Sequence, residues 1–353
     1  MIVVTAQSAH VRRNVTAYLL NGGGVLGTYV YTSRLAYVTN LIRQRLFSVP
    51  HYLEELSDLR TPRDWYAWTY FKWPHAFPLA AFPPYVTVEV TNACDLTCRH
   101  CWRSTMRRPI GHMAPGLFRN IVAQLERNHS ITLKIGGTGE VALHPHFEDL
   151  MSTIRNRGIR VYLYTNGSLL ERFSHDTILE WNIDTLVVSV DGTDSESYNF
   201  IRVGGDYQLL RRQLESFHAL RGLRDRKRPR IEIRHTIMPN ETAKQLLDFR
   251  KSWLVTADTV KFNYLVPLQK FLDPLAKTEA GKRLKASCRQ VRREFCVEWD
   301  GRVRFCGVYP EYLGDLHDSS IQELWHSPKA QFVRDCQKRR NFDQIPVCKD
   351  CPF

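Results

Sequence analysis

The sequence predicts an α/β fold: a partial (β/α)6 barrel with a mainly helical N-terminal extension and a small cysteine-rich C-terminal extension. Three observations lead there. From Tyr85 onward, short β-branched runs alternate with segments of helical period; the alternation stops near residue 267; and six of the nine cysteines lie beyond that point. Strands alternating with helices are the pattern of βα units, which build parallel sheets. Six units over about 180 residues suit an open barrel better than a closed eight-stranded one.

The expected strands are YVTVEV (85–90), TLKIGG (132–137), RVYLYTNG (160–167), TLVVSVDG (185–192), RIEIRHTIM (230–238) and DTVKFNYL (258–265). Between them LFRNIVAQLERN, HFEDLMSTIRNRG, ERFSHDTILEWN, YQLLRRQLESFHALRGL and ETAKQLLDFRKSWL set apolar residues at helical spacing. Residues 1–84 form the N-terminal extension. There, 31–47 and 51–59 read as helices, and the aromatic stretch DWYAWTYFKWPHAFPLAAFPPY ends in a proline-rich connector. The barrel is expected over 85–267 and the C-terminal extension over 268–353. In the latter, CVEWDGRVRFC reads as strand–turn–strand and IQELWHSPKAQFVRDC as helical.

With 43% hydrophobic and 24% charged residues among 353, disorder, collagen and coiled coil are excluded. No run approaches the roughly 18 uninterrupted apolar residues of a membrane span. The N-terminus MIVVTAQSAHVRRN has its basic residues after the apolar ones, the wrong order for a secretory signal, so a cytoplasmic location is expected. An odd number of thiols in a reducing compartment points to metal binding rather than a disulfide framework. The net charge of +13 predicts an acidic partner without choosing among nucleic acid, phosphorylated substrate, anionic membrane and acidic redox protein.

The first strand runs into TNACDLTCRHCW, which holds Cys94, Cys98 and Cys101 in a C-x3-C-x2-C spacing. Three thiolates in a short loop suit an iron–sulfur cluster with one iron left open; structural zinc wants four ligands. A zinc knuckle completed by His100 or His112 is the alternative on spacing alone. Location at the C-terminal end of a strand, where parallel α/β folds place their chemistry, favours an active site. The second strand ends in KIGGTGEVALHPHF, whose glycines allow close backbone approach and whose Glu140 suits a ligand ammonium. The third ends in Thr165-Asn166-Gly167 and the fourth in Ser189-Val190-Asp191-Gly192, with Arg202 eleven residues past Asp191.

In this order the motifs resemble those of the radical S-adenosylmethionine (radical SAM) superfamily, over residues 85–353. CDLTCRHC is similar to its cluster motif, with His100 where an aromatic is usual. Thr138-Gly139-Glu140-Val141 stands where the family has GGEP, Thr165-Asn166-Gly167 matches its TNG, and Ser189 to Gly192 resembles SxDG. The resemblance implies a TIM-type partial barrel and a 4Fe-4S cluster on Cys94, Cys98 and Cys101. It implies a SAM site drawing on Gly139, Glu140, Asn166, Ser189, Asp191 and Arg202, the last holding the SAM carboxylate. One-electron reduction would then release a deoxyadenosyl radical that abstracts hydrogen from the substrate.

Cys288-x12-Gly301-x4-Cys306, LGDLHDSSIQELWHSP and the terminal Cys348-x2-Cys351 resemble the family's twitch/SPASM extension. That implies an auxiliary 4Fe-4S cluster on Cys288, Cys306, Cys348 and Cys351; a zinc ribbon is the alternative. Cys296 and Cys336 remain, each a buried hydrophobe, a replacement ligand, or a catalytic thiol returning hydrogen to a substrate radical. His235, Asn240 and Asn263 are weaker candidates, and RGLRDRKRPR reads as a solvated loop.

The expected function is a radical SAM oxidoreductase or isomerase acting on a small-molecule or peptide substrate by oxidation, epimerisation or cross-linking, in natural-product, peptide or cofactor biosynthesis. A flavodoxin or ferredoxin-type electron donor is the implied partner, which gives the positive charge one use. The alternatives are an RNA-modifying or methylthiotransferase radical SAM enzyme and a zinc-dependent nucleic-acid-binding protein. The second leaves Glu140, the SxDG motif and the strand-end order unexplained, so nucleic acid is not the expected partner.

Overall fold

β-Branched residues fill the runs that become strands, and each run stops pairing where glycines or polar residues begin. In the computed structural model, which describes residues 78–128, 131–238, 240–264, 288–306, 311–345 and 348, six strands pair in parallel, each with the next. They are β1 (Tyr85–Val88), β2 (Thr132–Ile135), β3 (Arg160–Thr165), β4 (Thr185–Ser189), β5 (Arg230–Ile237) and β6 (Thr259–Tyr264). The expected N-terminal helices, the aromatic stretch up to Phe77 and Cys351 lie outside the described residues.

The crossover helices are α1 (Pro115–Glu126), α2 (Phe147–Ile154), α3 (Leu169–Arg172), α4 (His175–Glu180), α5 (Ser195–Ile201), α6 (Tyr207–Leu223) and α7 (Ala243–Trp253). The single helix expected over 171–182 is two, because Ser174 caps a new start by accepting from the Thr177 amide. α5 was not expected. Asp194 and Ser197 form a reciprocal cap that starts it, and it ends at Arg202.

The C-terminal region does not stand apart from the barrel. β7 (Glu294–Val297) adds in parallel to the free edge of β1, and β8 (Arg302–Arg304) and β9 (Gly314–Asp315) follow antiparallel. The sheet therefore runs β6-β5-β4-β3-β2-β1-β7-β8-β9. The expected hairpin is present as β7–β8. The expected helix over 321–336 is broken into α8 (Ile321–Trp325) and α9 (Pro328–Arg339), since Ser327 and Pro328 are a cap and first-turn pair.

One face of the sheet is apolar. Val86, Leu133 and Val161 lie side by side, as do Leu163, Leu186 and Ile231, and all join Phe118, Ile121, Leu150 and Phe217 of the helices in one continuous core. Trp325 of α8 extends that core under the hairpin, edge-on to Phe295 and Phe305, and its indole donates to Ala80 O at 2.8 Å.

The concave face is polar. Cys296, Thr87, Lys134, Tyr162, Thr185 and Arg230 occupy one row across β7 to β5. On this face Glu232 meets Arg234 Nε and Lys261 Nζ, each at 2.7 Å. Burial alone would raise its carboxyl, but the two cations outweigh burial and hold it at about 2, below its ordinary 4.5. A depressed folded-state value means the ionised carboxylate stabilises the fold above pH 4.5, and that contribution disappears as pH falls towards 2. Urea unfolding should accordingly show a lower midpoint at pH 3 than at pH 6, with a smaller difference in Glu232→Gln. An equal difference in both proteins would show that Glu232 is not a source of the acid sensitivity.

Candidate active site at the strand ends

Parallel pairing sends the C-terminal ends of β1 to β4 to the same edge, and there the motifs meet. A cavity of about 450 Å³ is lined by Cys94, Cys98 and Cys101 after β1, Gly136 to Glu140 after β2, Thr165 and Asn166 at the end of β3, Ser189 of β4, and Arg202. That is the volume of a small-molecule site. The elements that deliver these residues are locked together. The Glu140 amide donates to Ala93 O at 2.7 Å, and a Cβ on Gly139 would sit 2.3 Å from that same oxygen. Only glycine lets the turn pack under the cysteine loop.

Glu140 is 1% exposed. Its carboxylate accepts from Thr165 Oγ1 at 2.7 Å, the Asn166 amide at 2.6 Å and the Ala142 amide at 3.3 Å. Three donors leave one acceptor position of the roughly four a carboxylate has. Burial raises its carboxyl to about 7 against those hydrogen bonds, a strain that a ligand cation would relieve. The Asn166 side chain donates to Asp95 at 2.8 Å and lies 3.9 Å from Cys94 Sγ, tying the end of β3 to the cysteine loop.

Asp191 is not on the cavity wall. It is fully buried, 2.5 Å from Arg202 Nη1 and 2.7 Å from the Thr236 amide, with His100 Nε2 at 3.4 Å. Burial would raise its carboxyl, but Arg202, His100 and His235 hold it at about 2. It stands behind Arg202, paired with its guanidinium, and is not among the residues that line the cavity. Arg202 is 5% exposed, and its Nε finds no partner among the described residues; neither does His100 Nδ1. Both residues line the cavity. Buried nitrogens without partners are costly unless a ligand meets them.

These orphaned nitrogens, the three thiols and the glycine cradle fit an iron–sulfur cluster with an amino-acid ligand. Burial pushes the Cys98 thiol up to about 11 and the Cys94 thiol in the same direction, so both become ligands only to a metal that displaces their protons. Among the described residues no three His, Cys, Asp or Glu side chains are gathered tightly enough for a single ion. His112 does not join the thiols. Its Nδ1 is 2.9 Å from Thr91 Oγ1, and its ring packs edge-on to His144.

The remaining candidates separate. Cys296 and Cys306 are on the wall of the same cavity, and Cys288, Cys306 and Cys348 pack half-buried against the main core. Cys336 is elsewhere: buried in α9, its thiol donates to Gln344 Oε1 at 3.6 Å, and it is not among the residues that line the cavity. His235 is a satisfied core histidine, 3.0 Å from Val190 O and 2.8 Å from Glu241, while Asn240 and Asn263 are exposed. Thr87, Lys134, Tyr164, Glu294, Gln290 and Phe305 complete the cavity and were not anticipated. Period-two alternation in β1 to β3 marks the first three as concave-face residues; nothing in the sequence marks Glu294 or Gln290.

Residues 88–252 match the Radical SAM superfamily and residues 288–352 an iron–sulfur cluster-binding domain, SPASM. The chain is 24% identical over 315 residues to the tungsten-containing aldehyde ferredoxin oxidoreductase cofactor-modifying protein of Pyrococcus furiosus, covering 76% of this chain and 86% of that one. It is 22% identical over 304 residues to the antilisterial bacteriocin subtilosin biosynthesis protein AlbA of Bacillus subtilis, covering 78% and 66%. SuiB of Streptococcus suis, solved with its precursor peptide SuiA, shares the fold at a TM-score of 0.59 and 14% identity, over 78% of this chain and 73% of that one. No helix among the described residues is long and apolar enough to cross a membrane. The chain belongs to the radical SAM superfamily and carries a C-terminal SPASM iron–sulfur domain, with S-adenosylmethionine and two 4Fe-4S clusters as its cofactors.

Proposed function

We propose that this enzyme abstracts a hydrogen atom from a peptide or peptide-derived substrate and returns one from Cys296. The observation that carries the reading is the placement of Cys296 on the wall of the cavity that also holds Cys94, Cys98, Cys101, Glu140 and Arg202. Bound together, the reduced cluster and S-adenosylmethionine supply a carbon radical that removes hydrogen from the substrate.

The chain's own residues do the rest. Cys94, Cys98 and Cys101 would hold the cluster. Glu140 takes the ligand's ammonium on its remaining acceptor position, and Arg202, braced by Asp191, takes the carboxylate with its free Nε. Asn166 and Ser189 close the sides, and Gly139 lets the turn that carries Glu140 pack under the cysteine loop. Cys288, Cys306, Cys348 and Cys351 are assigned to the auxiliary cluster.

Cys296 is suited to return hydrogen because it keeps its own. Burial pushes its thiol far above neutrality, and the thiol donates to Phe305 O at 3.7 Å. Its S–H bond breaks as the substrate C–H bond forms. The thiyl left behind regains one electron and one proton, the electron from a flavodoxin or ferredoxin-type donor. A second reading, oxidation of the substrate, is favoured by Cys306 on the same wall, towards which the substrate's remaining electron would leave. A peptide is favoured as substrate because the AlbA and SuiB relatives are named for bacteriocin biosynthesis and for a bound precursor peptide.

Anaerobically purified protein should be brown with about eight irons per chain, and Cys94→Ala/Cys98→Ala/Cys101→Ala should keep about four and form no deoxyadenosine from SAM under dithionite. Colourless protein with stoichiometric zinc would end the radical SAM reading. With substrate in deuterated water, Cys296→Ala should still cleave SAM but lose at least 90% of the solvent deuterium incorporated into product, whereas Cys336→Ala should match the parent. Undiminished deuterium in Cys296→Ala would overturn Cys296 as the donor, and a parent product two hydrogens lighter than substrate with no deuterium would move the assignment to the oxidative reading.

A further inference from the structure

A buried charge cluster lies beside the cavity and is used by none of these roles. Arg108 reaches it from the loop that follows the third cysteine. Its Nη1 is 2.8 Å from Glu89 Oε1 and 2.8 Å from Glu298 Oε2. Its Nη2 donates to Glu89 Oε2 at 3.0 Å and to Thr138 Oγ1 at 3.3 Å. The Thr138 amide donates to that same Glu89 oxygen at 3.2 Å. The side chains of Arg108, Glu89 and Glu298 are only 13%, 8% and 8% exposed.

Each partner belongs to a different part of the chain. Glu89 directly follows β1. Thr138 sits in the glycine turn and lines the cavity, whereas Arg108 does not line it. Glu298 directly follows β7 in the C-terminal region, where Arg304 and the Tyr312 hydroxyl, the latter at 2.9 Å, hold it in place. A guanidinium keeps its charge and presents donors in a fixed fork, so it can hold three segments in one geometry where an ammonium cannot. The turn rests directly on Glu89: a Cβ at Gly137 would come within 2.9 Å of the Glu89 Cβ. The Glu89 carboxylate also accepts from the Thr138 amide, so its position and that of the turn are linked. Thr138 stands at a position where the resembling motif has glycine, and its hydroxyl supplies an acceptor that glycine lacks.

We propose that Arg108 is a positioning residue that registers the SPASM region against Thr138 and thereby sets the Gly137–Gly139 backbone for SAM binding. The proposal rests on the reading of that turn as part of the SAM site. It makes SAM affinity depend on a carboxylate, Glu298, that belongs to the other iron–sulfur domain.

The test uses the full chain reconstituted anaerobically with iron and sulfide. SAM is titrated, and its Kd is read from the change it causes in the electron paramagnetic resonance spectrum of the dithionite-reduced cluster. Thr138→Val removes the acceptor and leaves every charge in place; its Kd should rise about 3- to 10-fold. Arg108→Gln and Glu298→Gln should each raise it at least tenfold, and Arg108→Lys should fall between Arg108→Gln and the parent. Thr138→Val combined with Arg108→Gln should be no weaker than Arg108→Gln alone, because both remove one linkage. A merely structural role would lower the urea midpoint and leave the Kd of the folded fraction unchanged.

Kd values within twofold of the parent in Thr138→Val and Glu298→Gln, or additive losses in the double variant, overturn the proposal. Should Arg108→Gln fail to take up iron, Thr138→Val and Glu298→Gln decide the matter. A parent protein that takes up iron but binds no SAM overturns the SAM reading itself, and the role of Arg108 with it.

Discussion

Parallel strand pairing is the constraint on which the rest depends. Parallel neighbours need a crossover between them, so every strand re-enters at the same end and leaves at the same end. Three thiols, a glycine turn, an asparagine and a serine that are far apart in sequence are delivered to one edge for that reason alone. No residue of the site has to be brought there by its own interactions. The local contacts only adjust what topology has already gathered, as when the Glu140 amide docks on Ala93 O and Asp191 braces Arg202.

β7 obeys the same rule. By pairing in parallel with β1, in register from Tyr85–Glu294 to Val88–Val297, it points its C-terminal end at the same edge. Cys296 then falls in the row of Thr87 and Lys134 on the concave face, and Glu298 emerges beside Glu89. An antiparallel β7 would have carried Glu298 to the opposite end of the sheet, away from Glu89, and would have taken Cys296 out of the row of Thr87. The choice of direction at one edge strand thus decides which C-terminal residues can take part in the chemistry.

The barrel was legible because its physics is local. β-Branched runs became the six strands, and the Asp206 and Thr242 caps open the helices that helical spacing marks. The three-cysteine loop, the glycine turn, Asn166 and Ser189 were legible because strand ends are where such folds place function. The direction of Asp191 was not legible, because a motif gives membership and not orientation; its carboxylate turns to Arg202. Cys296 and Cys336 were indistinguishable as free thiols, and only sheet register separates one on the cavity wall from one packed in α9. Glu89, Arg108 and Glu298 carried no signal, since ordinary charges become a buried cluster only through contacts across as many as 190 positions.

Among the described residues, β7 is what makes β1 a central strand. Its backbone would otherwise be an open edge, flanked by apolar Val86 and Val88 and immediately ahead of the metal-binding loop. Such edges invite pairing with other chains. The SPASM region therefore has a protective role independent of any electron it carries. A chain interrupted before Glu294 would possess every SAM-binding motif and still expose the template for its own aggregation. During synthesis the barrel would have its last strand well before its seal, so for that interval its stability depends on sequence still to come.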